Sequence, residues 1–150
     1  MPFKRSIRLK EYDYRSDGAY FVTICTDKKY KVINPAYKKI IKKELVDLVR
    51  RFTGVKIDYY VVMVNHCHII FILKNSRVAL PRVIQVFKSI TTIKIKRLGF
   101  KGNFWQQNYY EHIIRNEKAL NNIREYIRNN PEKERVEILN KSGEQARRLH

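Results

Sequence analysis

The stretch Val55-Lys56-Ile57-Asp58-Tyr59-Tyr60-Val61-Val62-Met63-Val64-Asn65-His66-Cys67-His68-Ile69-Ile70-Phe71-Ile72-Leu73 decides the reading of this chain. Its two halves, Val55 to Met63 and His66 to Leu73, are rich in β-branched and aromatic residues and are separated by a short break at Val64-Asn65. That pattern predicts two strands joined by a tight turn. Side chains alternate faces along a strand, so His66 and His68 share one face. Cys67, Ile69, Phe71 and Leu73 form an apolar row on the other, suited to packing under helices.

Working outward, Ala19 to Thr26 has the composition of a first strand. Asn34-Pro35 supplies an N-cap with proline at the first helical position. Tyr37, Ile41, Leu45, Leu48 and Phe52 then recur at spacings of three and four up to a stop at Gly54. Downstream, Val83, Val86, Phe87, Ile90 and Ile93 predict a second helix over Pro81 to Leu98, with Gly99 as its stop. Asn103 to Arg115 reads as strand. Asn116 caps a final helix from Glu117 to about Asn130, ended by Pro131, and the last twenty residues read as a charged tail. The order β-α-β-β-α-β plus one helix predicts an α+β, ferredoxin-like (RRM-like) sheet with an additional C-terminal helix.

Composition bounds the function. The 150 residues are 44% hydrophobic and 12% aromatic, enough for one folded core. Lys and Arg number 32 against 14 Asp and Glu, a formal charge of +18 that implies a polyanionic partner. The longest stretch without formal charge, Tyr59 to Leu73, is too short to span a bilayer, so no membrane role is expected. The N-terminal residues are basic without an apolar signal-peptide core, and Cys25 and Cys67 lie in apolar runs. Both features predict an intracellular, cytoplasmic protein with reduced thiols.

Two neutral imidazoles at strand spacing can hold a divalent ion with positions open for substrate oxygens, or they can be a structural pair. On the final helix, Ala119, Leu120, Ile123 and Ile127 make an apolar arc, with Tyr126 and Asn130 at or just beyond its edge, one turn apart. A phenol there either seals the core edge or, given a cation or base, acts as a nucleophile.

These residues carry a family resemblance. Tyr60 to Phe71, then Trp105-Gln106, Tyr110-Glu111-His112, and Tyr126-Ile127-Arg128-Asn129-Asn130-Pro131 resemble the single-tyrosine HUH transposases of the IS200 type, nearest the REP-associated tyrosine transposases. The resemblance spans roughly residues 15 to 135 and implies a single HUH domain over 1–150 with a basic arm and a charged tail. It implies an endonuclease and strand transferase acting on single-stranded, hairpin-forming DNA through a 5′-phosphotyrosine. It assigns Tyr126 as nucleophile and His66, His68 and Asn130 as ligands of a divalent metal, Mg²⁺ or Mn²⁺. Val64 departs from the family by replacing a common proline. The resemblance leaves a homodimer open.

For DNA contacts, lysines cluster at Lys38, Lys39, Lys42 and Lys43 and again at Lys88, Lys94 and Lys96 with Arg97. Trp105, Tyr109 and Tyr110 are candidates for stacking unpaired bases, Arg124 and Arg128 for gripping the scissile strand, and Lys88 for a phosphate. The alternatives are a noncatalytic nucleic-acid-binding domain of the same fold, a phosphodiesterase using water in place of Tyr126, and a structural zinc at the histidines. His112 reads as a structural histidine in a strand.

Overall fold

The structure, a computed structural model, describes residues 17–129 and 137–138. In chain order it contains β1 (Gly18–Cys25), α1 (Pro35–Arg51), β2 (Val55–Val62), β3 (His66–Leu73), α2 (Leu80–Arg97), β4 (Tyr110–Ile114), α3 (Glu117–Arg128) and the two-residue β5 (Glu137–Ile138). The strands form one antiparallel sheet in the order β4-β1-β3-β2-β5, so the histidine strand lies in the middle. The first four strands and two helices give the expected ferredoxin-like arrangement.

The expected helix caps are present. Asn34 Oδ1 accepts the Tyr37 amide at 2.8 Å, and Asn116 Oδ1 accepts that of Ala119 at 2.8 Å. Each satisfies an amide that has no partner within its helix. Gly54 turns the chain from α1 into β2 at φ +86, where a Cβ would stand 2.5 Å from the Lys74 carbonyl oxygen.

Strand alternation divides the apolar residues between two faces. Tyr20, Val22, Ile24, Ile69 and Phe71 pack against Leu45 and Leu48 of α1 and Val83 and Phe87 of α2. Phe21, Tyr59, Val61, Met63 and Ile70 form a smaller cluster on the opposite face with Ile123 and Ile127 of α3. Full burial of each isoleucine is worth about 1.5–3 kcal/mol, which seats α3 over the sheet.

Three sequence expectations are corrected, and one buried charge was not anticipated. Only Tyr110–Ile114 of the stretch Asn103 to Arg115 forms a strand. Phe104 and Trp105 both enter the α1/α2 core, which strict alternation would forbid, and Trp105 keeps a single bridge to Thr26. On α2 the buried face carries Ile84, Thr91 and Ile95, while Ile93 is exposed. Glu44 is fully buried within the apolar face of α1 and is held by Arg51 Nε at 3.0 Å and Lys94 Nζ at 3.8 Å. Finally, Glu137 and Ile138, in the expected tail, pair with Tyr60 and Tyr59 of β2.

Candidate active site

The histidine pair is built by β3 and oriented by its neighbours. The rings of His66 and His68 stand 4.7 Å apart between centroids, at 70°. Asn65 Oδ1 lies 2.7 Å from His66 Nδ1, and because a carboxamide oxygen only accepts, His66 carries its proton on Nδ1. Asn65 is itself anchored: its Nδ2 donates to the Lys29 carbonyl at 3.3 Å, and its own carbonyl accepts the Thr26 amide at 2.9 Å. Thr23, the cross-strand partner of His68 on β1, places Oγ1 2.9 Å from His68 Nδ1. Engaging Nδ1 of both rings in this way leaves Nε2 of each as the nitrogen available to a ligand, an arrangement that would suit metal binding.

His68 is 2% exposed. Burial, reinforced by the neighbouring His66, pushes its pKa down to about 3. The imidazole is therefore neutral near pH 7, the form a metal requires. Cys67 is fully buried on the opposite face, where burial raises its thiol well above the ordinary range. It is inert as a ligand here.

Tyr126 reaches this pair from α3 of the same chain. Its ring centroid is 5.9 Å from that of His68 and 6.3 Å from that of Phe21, which in turn lies 5.3 Å from His68. The expected edge position is observed, since Tyr126 is half-buried and packs against the second apolar cluster. Asn130, the expected third ligand, lies outside the described residues. Among the described residues no group of three or more His, Cys, Asp and Glu side chains forms a metal cluster. The fit to a divalent ion thus rests on two oriented nitrogen donors.

The expected DNA contacts fare differently. Arg124 and Arg128 both turn to β2: Arg124 Nε and Nη2 each donate to Asp58 at 2.7 Å, and Arg128 Nη2 donates to the Tyr59 hydroxyl. The Asp58 carboxylate also raises the pKa of the Arg124 guanidinium. Trp105 is 7% exposed, wedged beside Phe87 and Phe104, and its indole N–H donates to Thr91 Oγ1 at 2.9 Å. Tyr109 is 8% exposed in the same core. Neither ring presents a face to an unpaired base in this structure. Lys88 is half-buried, and its ammonium donates to the carbonyls of Gln106 and, at 3.0 Å, Gln107, so it pins the loop before β4. Burial lowers its pKa. Tyr110 is half-buried opposite Thr23 on the histidine face, and His112 lies opposite Phe21.

Sequence reasoning missed Thr23, Asn65, Asp58 and Tyr59 as supporting residues. Asn65 carried a signal in its adjacency to His66. The other three depend on cross-strand register or helix docking, which no local pattern encodes.

Residues 15–130 match the family model described as "Transposase IS200 like". The chain belongs to the IS200-like transposase family. An uncharacterized Haemophilus influenzae protein is 35% identical to this transposase over 158 aligned positions, covering 85% of this chain and 88% of its own. Among solved structures, a REP-associated tyrosine transposase bound to a REP hairpin superposes with a TM-score of 0.68 at 24% identity, over 83% of this chain and 72% of that one. A Deinococcus radiodurans R1 protein shares the fold with a TM-score of 0.52 at 16% identity, over 81% of this chain and 95% of that one. No helix among the described residues is long and apolar enough to cross a membrane.

Proposed function

We propose that this transposase cuts and rejoins single-stranded DNA with Tyr126 as nucleophile, in cis with the histidines of its own chain. The observation that carries the reading is the placement of the Tyr126 ring 5.9 Å from His68, with His66 beside it. The formal charge of +18 supports a polyanionic substrate. The solved relative bound to a REP hairpin supports hairpin-forming DNA as its presentation. A DNA substrate and reduced, buried thiols fit an intracellular site of action.

The Tyr126 oxygen attacks the scissile phosphorus, and the Tyr–O–P bond forms as the P–O3′ bond breaks. The phenolic proton leaves to solvent, and the departing 3′ oxygen takes one up to become a hydroxyl. A different 3′-hydroxyl reverses the step and rejoins strands without an external energy source. His66 and His68 would hold the divalent ion, Mg²⁺ or Mn²⁺, with Asn130 as the proposed third ligand. When bound, that ion supplies the positive charge that polarises the phosphate and favours the phenolate. Being neutral, His68 serves as a ligand and not as a proton donor.

The test is a denaturing gel with labelled single-stranded hairpin DNA from the gene's own flanks and Mn²⁺ or Mg²⁺. Wild type is expected to give a metal-dependent covalent protein–DNA band, absent in Tyr126→Phe and in His66→Ala/His68→Ala. Cleavage surviving in Tyr126→Phe would move the nucleophile to water or to another residue. Tight binding without cleavage of any substrate would make the chain a noncatalytic nucleic-acid-binding domain.

A further inference from the structure

The two arginines on either side of Tyr126 sit on the opposite flank of α3 from the tyrosine. At 100° per residue, Ile123 and Ile127 form the keel of the helix, Arg124 and Arg128 lie to one side of it, and Tyr126 lies to the other. The arginine flank faces β2 and the tyrosine flank faces Phe21 of β1 and His68 of β3.

On β2 a bulge receives them. Ile57 pairs with Phe71 and Tyr59 pairs with Ile70, so Asp58 is an extra residue between consecutive partners. Before the bulge Ile57 faces the α1/α2 core. After it, Tyr60 and Val62 face that core while Tyr59 and Val61 face α3. The bulge thereby lets two adjacent residues, Asp58 and Tyr59, both engage the α3 layer. Asp58 accepts two hydrogen bonds from Arg124 at 2.7 Å, and the Tyr59 hydroxyl accepts from Arg128. Both guanidinium carbons also lie over the Tyr59 ring, at 5.5 and 5.6 Å from its centroid.

We propose that Asp58 and Tyr59 of the β2 bulge, with Arg124 and Arg128, form an anti-roll clamp that sets the Tyr126 oxygen over the histidine pair. They are positioning residues, and the inference rests on the nucleophile reading above. The apolar arc of Ala119, Leu120, Ile123 and Ile127 resists lifting of α3 more directly than rolling about its axis, because apolar packing is non-directional. With side-chain tips about 6 Å from the helix axis, a roll of about 20° shifts Tyr126 by about 2 Å. A misplacement of about 1 Å can cost about 100-fold in rate. The bidentate Arg124–Asp58 pair fixes orientation as well as distance, and Arg128 fixes the same flank one turn later.

The experiment is a double-mutant cycle on the full chain with Asp58→Asn, Arg124→Gln and their combination. It reads single-turnover formation of the Tyr126 adduct at saturating hairpin DNA with Mn²⁺, the DNA Kd at several salt concentrations, and the thermal midpoint. Each single variant is expected to slow adduct formation at least tenfold with Kd and its salt slope unchanged, and the double variant to be no slower than the worse single. The reversed pair, Asp58→Arg with Arg124→Asp, is expected to recover rate. Arg124→Lys, which keeps the charge but loses the fork, is expected to fall between wild type and Arg124→Gln. Weaker binding and a shallower salt slope in Arg124→Gln, with Asp58→Asn at wild-type rate, would overturn the clamp and make Arg124 a DNA contact. A ¹⁹F resonance from fluorotyrosine at position 126, read without DNA, is expected to move alike in both single variants. An unmoved resonance overturns the clamp even if wild type forms no adduct, an outcome that would by itself overturn only the nucleophile reading.

Discussion

Asn65 Oδ1 accepts the Nδ1 proton of His66 across 2.7 Å, and this short bond between sequence neighbours fixes which nitrogen of His66 is offered for coordination. Thr23 engages the same atom of His68 from the adjacent strand. Removing either partner leaves the proposed ligand in place but frees its ring to turn. Asn65→Ala and Thr23→Val are each expected to weaken Mn²⁺ binding about 10–100-fold. Isothermal titration of the DNA-free protein measures this, and unchanged affinity in both would dismiss the outer-shell role.

The depressed pKa of His68 makes stability depend on pH in a defined window. An unfolded histidine titrates near 6.5, whereas His68 stays neutral in the fold down to about 3. Between these values the unfolded state binds more protons, so stability is lost as pH falls from about 6.5 toward 3, by at most about 1.4 kcal/mol per pH unit. Above about pH 7.5 the group adds almost no slope. In metal-free buffer, the stability advantage of wild type over His68→Gln is expected to be about 2 kcal/mol smaller at pH 5 than at pH 7.5. Urea denaturation at both pH values checks it, and an equal difference contradicts it.

Trp105 and Thr91 form a buried polar contact inside the α2 core, with the Thr91 hydroxyl donating onward to the Phe87 carbonyl at 2.8 Å. Thr91→Val conserves shape but strands the indole N–H, and a loss of about 1–3 kcal/mol is expected. Trp105→Ala is expected to lose about 3–5 kcal/mol. If Trp105 instead stacked on DNA, the variant would keep its stability in chemical denaturation and lose affinity.

Gly54 occupies a backbone conformation that L side chains rarely adopt, against the main chain of Lys74 and Ser76. Gly54→Ala combines that strain with an overlap that no flexible side chain can relieve. A loss of at least about 2 kcal/mol is expected, measured by thermal or urea unfolding.

The parts of this molecule that were legible in the sequence are those written in local chemistry. Asn34-Pro35 and Asn116 announced helix starts, and the His66-Cys67-His68 alternation announced one polar and one apolar face. The Ile123/Ile127 spacing placed Tyr126 at the edge of its helix. What was not legible depends on contacts between segments far apart in the chain. The bulge at Asp58 is a property of pairing with β3, so from sequence Arg124 and Arg128 read as candidates for gripping the scissile strand and their partners on β2 went unseen. Phe104 and Trp105 had strand-like composition, but the demand of one core for both rings overrode alternation. The burial of Glu44 carried no signal in the sequence, because one of the partners that hold it, Lys94, belongs to another helix.

The second apolar cluster, between α3 and the sheet, has a consequence for when the chain is active. The histidines are seated in the sheet's central strand, whereas the tyrosine belongs to a thin layer held by Ala119, Leu120, Ile123, Ile127 and two arginines. The seam between Tyr126, the proposed nucleophile, and the histidine pair therefore coincides with the boundary between that layer and the sheet. Docking of α3 is expected to set the fraction of competent molecules, since undocking this one helix separates Tyr126 from His68 while the sheet stays folded. Mild denaturant is expected to extinguish strand transfer before the sheet loses its circular dichroism.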